Sequence, residues 1–239
     1  MQYISVLSTL VTLIFTVAVL NRYQKRRGTH LLLWGVGLIF YGLGTFTEVL
    51  LAFSFSELAM KVWYLSGAML TAAWLGKGTV HLLVRKRGLA STLTVLLVII
   101  SLVAAGLVLV APVTSQAASY NLSQPVSAQY KEIMTRNGAI IALTILLNIY
   151  GTIALVGGAI YSAFLFWRKQ VLVNRLVGNI LIAAGALMPA MAGSLIKAGL
   201  ADWLYVSELL GVVIMYTGFL QATTANVVAR EPAVTLSQN

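Results

Sequence analysis

The sequence predicts an all-α polytopic membrane protein of seven transmembrane helices, N-terminus outside and C-terminus cytoplasmic. Three observations carry this. Of 239 residues 59% are apolar and only 9% charged, against roughly 25% charged in a soluble domain. Apolar runs recur at about 3–20, 30–53, 59–84, 89–111, 138–167, 172–197 and 202–228, each long enough for a bilayer core of roughly 30 Å. The basic residues fall mainly in alternate connections.

The first run has no positive residue before it and Arg22, Lys25, Arg26 and Arg27 after it. A cleaved signal has the reverse charge order, so the run is expected to be retained as span one. Arg85, Lys86, Arg87, Arg168, Lys169, Arg175 and Arg230 fall on the same side as that first cluster, leaving Lys61, Lys131, Arg136 and Lys197 on the other. By the positive-inside rule the first side is cytoplasmic. The net charge of +10 is therefore topological, and no nucleic-acid partner is expected. Cysteine is absent, which excludes disulfides and thiolate chemistry.

Residues 1–230 form one transmembrane domain, followed by a short cytoplasmic tail, 231–239. The polar stretch 111–138, rich in Ser, Gln and Pro, is either an ordered lid or a loose linker, and its composition favours the linker. "VWYLSG" (62–67) and "DWLYVSE" (202–208) occupy similar places in the two halves. That suggests a 3+1+3 parallel pseudo-repeat, a plan known among transporters.

Small residues let helices approach closely in lipid. Ala68, Ala72 and Gly76 form one such stripe, and Gly185, Pro189 and Gly193 another. Pro189 should bend span six and is a hinge candidate. Trp34, Trp63, Trp167 and Trp203 lie near span ends, as interfacial aromatics do. Trp74 lies deeper.

Ionisable groups within the spans are the functional pointers, since each is expensive in lipid unless paired or hydrated. Glu48 and Glu208 fall at a similar level in the outer third. They could bind a cation or an amine, or share a proton. The structural alternative makes them helix-end residues, hydrated or hydrogen-bonded to Tyr64 or Tyr205. Lys77 sits about 10 Å inside the cytoplasmic edge by helical rise. It either snorkels towards Arg85 or has a buried partner or ligand, because helical side chains lean towards the N-terminus and here that direction leads into the bilayer.

His81 lies one turn below Lys77, and His30 opens span two at nearly the same level. A haem or metal between the two lacks a third ligand signature and a neighbouring carboxylate, so no metal or cofactor is assigned. Asn148, mid-span five, reads as hydrogen-bonding glue between helices. Tyr41, Tyr150 and Tyr216 could line a cavity with it. No lysine lies in the last span, and no Ser-His-Asp set, HExxH or phosphate loop is present, so no catalytic residue is assigned.

The stretch "LLLWGVGLIFYGLGTFTEVLLAFSFSELAMKVWYLSGAMLTAAWLGKGTVHLLVRK", mainly residues 30–87, resembles the N-terminal seven-helix sensor domains of bacterial histidine kinases. It shares a Trp-containing span two, an acidic residue near that span's outer end and an aromatic-rich span three. The resemblance implies a bacterial inner-membrane sensor with a ligand pocket around Glu48, Tyr64, Tyr205, Glu208 and Asn148. No kinase or cyclase follows Arg230, so such a sensor would act through a separate cytoplasmic or membrane partner. The expected ligand is small, and lipophilic or cationic. A small-solute transporter and an accessory subunit of a membrane complex are the alternatives.

Overall fold

The computed structural model describes residues 2–84, 87–169, 173–191 and 203–224. Gly193, Lys197, Asp202, Arg230, Arg85, Lys86 and the tail 231–239 lie outside the described residues. Helix α1 (Gln2–Arg26) leads through a tight turn into α2 (Thr29–Phe53), the turn marked by Arg27 at φ 50°. Helix α3 (Glu57–Trp63), a π-helical segment (Tyr64–Leu70) and α4 (Thr71–Leu83) then follow without a break. After α5 (Arg87–Val110) come a short 3₁₀ turn (Ser115–Ser119) and α6 (Val126–Ile133). Helix α7 (Gly138–Thr152), a second π segment (Ile153–Gly157) and α8 (Gly158–Lys169) run on as one, before α9 (Val173–Ala190) and α10 (Trp203–Thr223).

Five helical runs are long and apolar enough to cross a bilayer: 3–26, 29–53, 88–110, 138–168 and 203–223. They mark an integral membrane protein. Val173–Pro189 is apolar but shorter. The run 57–83 is less apolar, holding Ser66, Thr71, Lys77 and Thr79, and all four are buried. These four are turned into the bundle, whereas Glu57 at the start of the run is exposed.

Buried positions on α1 are Ser5, Ser8, Thr12, Phe15, Thr16 and Val19, a helical stripe of small polar residues facing α2. Thr12 and Thr16 donate to carbonyls one turn back, Ser8 O at 2.6 Å and Thr12 O at 2.7 Å. Their hydroxyls are thus satisfied within the helix and the stripe packs as if apolar. The stripes of small residues pack as expected. A Cβ on Gly76 would lie 2.7 Å from Gly151 O, and one on Gly185 2.7 Å from Gly211 O, so only glycine fits where these backbones meet.

Pro189 lies within the last turn of α9, and its Cδ is 2.9 Å from where a Gly211 Cβ would be. The ring thus packs against α10, and the chain beyond Met191, which a bend at Pro189 would redirect, lies outside the described residues.

The linker reading of 111–138 is overturned. Val113 and Met134 form an antiparallel bridge, flanked by Thr114 N–H to Ile133 O at 2.8 Å and Thr135 N–H to Pro112 O at 3.0 Å. Gln129 accepts from Asn121 N–H at 2.8 Å and donates to Asn121 O at 2.9 Å. Val126, Ile133 and Met134 are buried in the same core cluster as Trp63, Tyr64 and Met69. A polar composition had suggested solvent on both sides, but alternate apolar residues seat this segment as a lid on the bundle.

Candidate functional site

Beneath the lid a cavity of about 610 Å³ opens between α2, the 57–83 run, α7 with its π segment, α9 and α10. That size lies within the usual range for small-molecule pockets. Four of the five residues expected at a pocket line it: Glu48, Tyr64, Asn148 and Glu208. Tyr205 does not. It borders a smaller space of about 20 Å³ on the lid side of Glu48, together with Ser5, Tyr120 and Pro125.

Most of the polar lining groups have hydrogen-bond partners in or behind the wall. Glu48 is 3% exposed, its Oε1 accepting from Trp63 Nε1 at 2.9 Å and its Oε2 from Ser5 Oγ at 3.4 Å. The partners are therefore Trp63 and Ser5, not the Tyr64 or Tyr205 considered above. Trp63 is itself 6% exposed, buried rather than interfacial, because its indole N–H finds the carboxylate inside the bundle. Tyr64 shares a 2.9 Å hydrogen bond with Thr144 instead. Glu208 meets Glu48 carboxyl to carboxyl, while its buried Oε2 has no hydrogen-bond partner among the described residues. Tyr41 donates to the Glu208 carbonyl at 2.9 Å, fixing α10 against α2 at that level.

The first π segment explains Asn148. A π turn widens the ladder and frees carbonyls. Asn148 Nδ2 donates to Ala68 O at 2.8 Å across the interface, and Thr71 Oγ1 to Ser66 O at 2.8 Å. Glue between helices was the expectation for Asn148, and it fills that part while also facing the cavity. The second π segment adds Ile153, Leu155 and Val156 to the wall. Tyr41 lines the cavity as considered. Tyr150 packs in the core cluster instead, and Tyr216 stacks on Phe15 with centroids 5.1 Å apart.

The lid closes one end through rings. Tyr130 of α6 contacts Trp63 and Tyr64 at 5.4 Å and 5.5 Å between centroids, and the Arg136 guanidinium lies 4.9 Å over its outer face. Tyr120 packs on Phe55 at 5.1 Å. Burial, and next the nearby Glu48 charge, push the Tyr120 phenol up to about 12, so it stays a neutral hydroxyl throughout the physiological range.

Lys77 and His81 lie elsewhere, between α4 and α5. Lys77 is fully buried and donates to Ala90 O at 2.9 Å, so it has a buried backbone partner rather than a path to water. His81 Nε2 lies 2.8 Å from Thr94 Oγ1, which itself donates to Ala90 O at 3.0 Å. Because the threonine proton is used there, His81 acts as the donor. His30 packs edge-on to Trp34 at 5.4 Å. Among the described residues no group of three or more His, Cys, Asp or Glu could hold a metal, and His81 directs its Nε2 to Thr94 rather than to His30.

The residues missed from sequence are Trp63, Ser5, Tyr41 as partner of α10, and Tyr130. The periodic Ser5, Ser8, Thr12, Thr16 stripe was the available signal for Ser5. Nothing local in "VSAQYKEI" announces that Tyr130 reaches the bundle. Comparison with family models, curated proteins and solved structures finds no match.

Proposed function

We propose that this chain is a sensor-like integral membrane protein that binds a small lipophilic or cationic molecule and passes the bound state to a separate membrane or cytoplasmic partner. In this reading the 57–83 run and α9 cross the bilayer with the five more apolar helices, giving seven crossings. The N-terminus lies outside, and the lid faces out, because Arg22, Lys25, Arg26 and Arg27 sit at the opposite end. One observation carries the ligand: a cavity of about 610 Å³ inside the bundle has a carboxyl pair in its wall. Buried polar groups in an otherwise apolar pocket orient and select what enters it. The resemblance of residues 30–87 to histidine-kinase sensor domains points the same way.

Native mass spectrometry on gently solubilised protein tests this reading. Retention of a lipophilic mass, lost in a Glu48→Gln, Glu208→Gln double variant, is expected. A bare chain from native membranes, with no stabilisation by any member of a lipid and amphiphile panel, would count decisively against it.

A transporter is favoured by a different observation. The cavity draws its walls from two of the first three helical runs, α2 and 57–83, and from all of the last three, while α1 and α5 contribute nothing, so it lies between the two halves of a 3+1+3 plan. Uptake into proteoliposomes separates the two: solute accumulation supports the transporter, and binding without uptake supports the sensor.

A further inference from the structure

The cavity is acidic and aromatic at one end and mainly apolar at the other. Glu48 and Glu208 lie at the lid end with Tyr64 and the lid's Tyr130, whereas Leu75, Val156, Ala186 and Met215 line the deeper part, where Thr71 and Thr152 add hydroxyls. An occupant that satisfies both ends carries a polar head and an apolar tail. The head meets acceptors: Glu48 with one short hydrogen bond and one long one, and Glu208 with Oε2 unpartnered. Among the described residues no cation neutralises them, for the titratable side chains facing the pair there are Tyr41 from α2, Tyr205 from α10 and Tyr120 from the lid. Helix α1 supplies only Ser5, and α3 only Trp63.

Two carboxyls can hydrogen-bond to each other only if one proton lies between them, since carboxylate oxygens have none to donate. We propose that the Glu48–Glu208 pair is a binding site for the ammonium group of a lipophilic amine, which displaces that proton. This rests on the ligand-binding reading of the cavity. The exchange balances: R–NH₃⁺ enters, its N–H groups donate to both carboxylates, and one proton leaves to water. The charge of the site, minus one, is unchanged, so binding buries no additional net charge.

Two features supply the routes. The proton leaves by the lid side, where Glu48 also borders the space of about 20 Å³ lined by Ser5, Tyr120 and Tyr205, large enough for one water. The amine arrives from the bilayer. Ile149 and Ile153 line the cavity yet are 53% and 68% exposed on the bundle surface, so the wall there is one side chain thick.

The test compares decylamine, 1-decanol and decanoic acid, probes of equal chain length, by isothermal titration of purified protein in neutral detergent at pH 7. Decylamine is expected to bind tighter than decanol by on the order of tenfold, the worth of charge-assisted hydrogen bonds. Titration in two buffers of different ionisation enthalpy should report about one proton released per amine bound, the stoichiometry of the exchange. Glu208→Gln should abolish both the preference and the release. The release measurement uses the unaltered protein, so it stands even if that variant fails to fold. Equal affinity for all three probes, or amine binding without proton release, overturns the amine site while sparing the cavity reading. Binding of none of them, with no mass retained from native membranes, overturns both.

Discussion

Two of the places where the described residues bury ionisable side chains are solved differently. Between α4 and α5, Lys77 is fully enclosed, its amine donates to Ala90 O, and the same carbonyl is reached through Thr94 by His81. Neither of the two cavities described above touches it. Under the lid, Glu48 and Glu208 meet at the wall of an open volume, with one carboxyl oxygen lacking a hydrogen-bond partner among the described residues. Burial of a charged group is thus not itself a sign of function. What separates the two is room: a buried polar group beside empty space can take a ligand, whereas one closed by backbone carbonyls holds helices together.

The comparison can be broken by mutation, most severely at Lys77. Lys77→Ala removes a packed four-carbon stem as well as the donor, and should cost about 2–4 kcal/mol of stability, the usual range for emptying a buried site. Lys77→Met keeps the stem and should cost no more than about 1–1.5 kcal/mol, the net worth of one hydrogen bond. Thermal unfolding in detergent measures both. If Lys77→Met were as damaging as Lys77→Ala while leaving the fold intact, the amine would have a task beyond packing.

A middling effect is expected from the lid. Tyr130→Ala removes ring contacts with Trp63 and Tyr64 and the Arg136 stack, each worth about 0.5–1.5 kcal/mol. Opening of the lid should therefore rise by about tenfold or more, seen as faster limited proteolysis within 112–135 and little change in the rest of the bundle. Unchanged cleavage would mean that the bridge at Val113 and Met134 alone seats the lid.

The smallest effect should carry the opposite sign. Glu208→Gln places an amide donor against the Glu48 carboxylate and removes an unpartnered acid, so the empty protein should gain about 1 kcal/mol. Loss of stability at Glu208 comparable with Lys77→Ala would show that the pair is structural like its counterpart and erase the contrast.

Much of this was legible before any coordinates. Glu48, Tyr64, Asn148 and Glu208 were expected near one another, because span polarity and helical rise place Glu48 and Glu208 at one level. Tyr205 was read one layer too deep. Its level matched, but helix facing decides whether a side chain meets a cavity or the space beyond it, and one sequence without caps or a strong apolar stripe on that helix does not give facing. Trp63 was misplaced for a related reason: span-end tryptophans usually meet headgroups, but a carboxylate within reach of the indole N–H draws it inward. The lid was missed because its seating depends on side chains that meet partners dozens of residues away.

The sequence by itself determined the class of solvent. Its apolar runs, nearly free of charge, cannot be covered by a soluble fold, and in hydrocarbon each backbone group must be paired within its own helix. Tertiary structure alone decided which polar residues face one another, because that depends on helix rotation and on backbone approach at Gly76, Gly151, Gly185 and Gly211. Those contacts, together with two π turns, leave a cavity beside Glu48 and Glu208 that does not extend to Lys77.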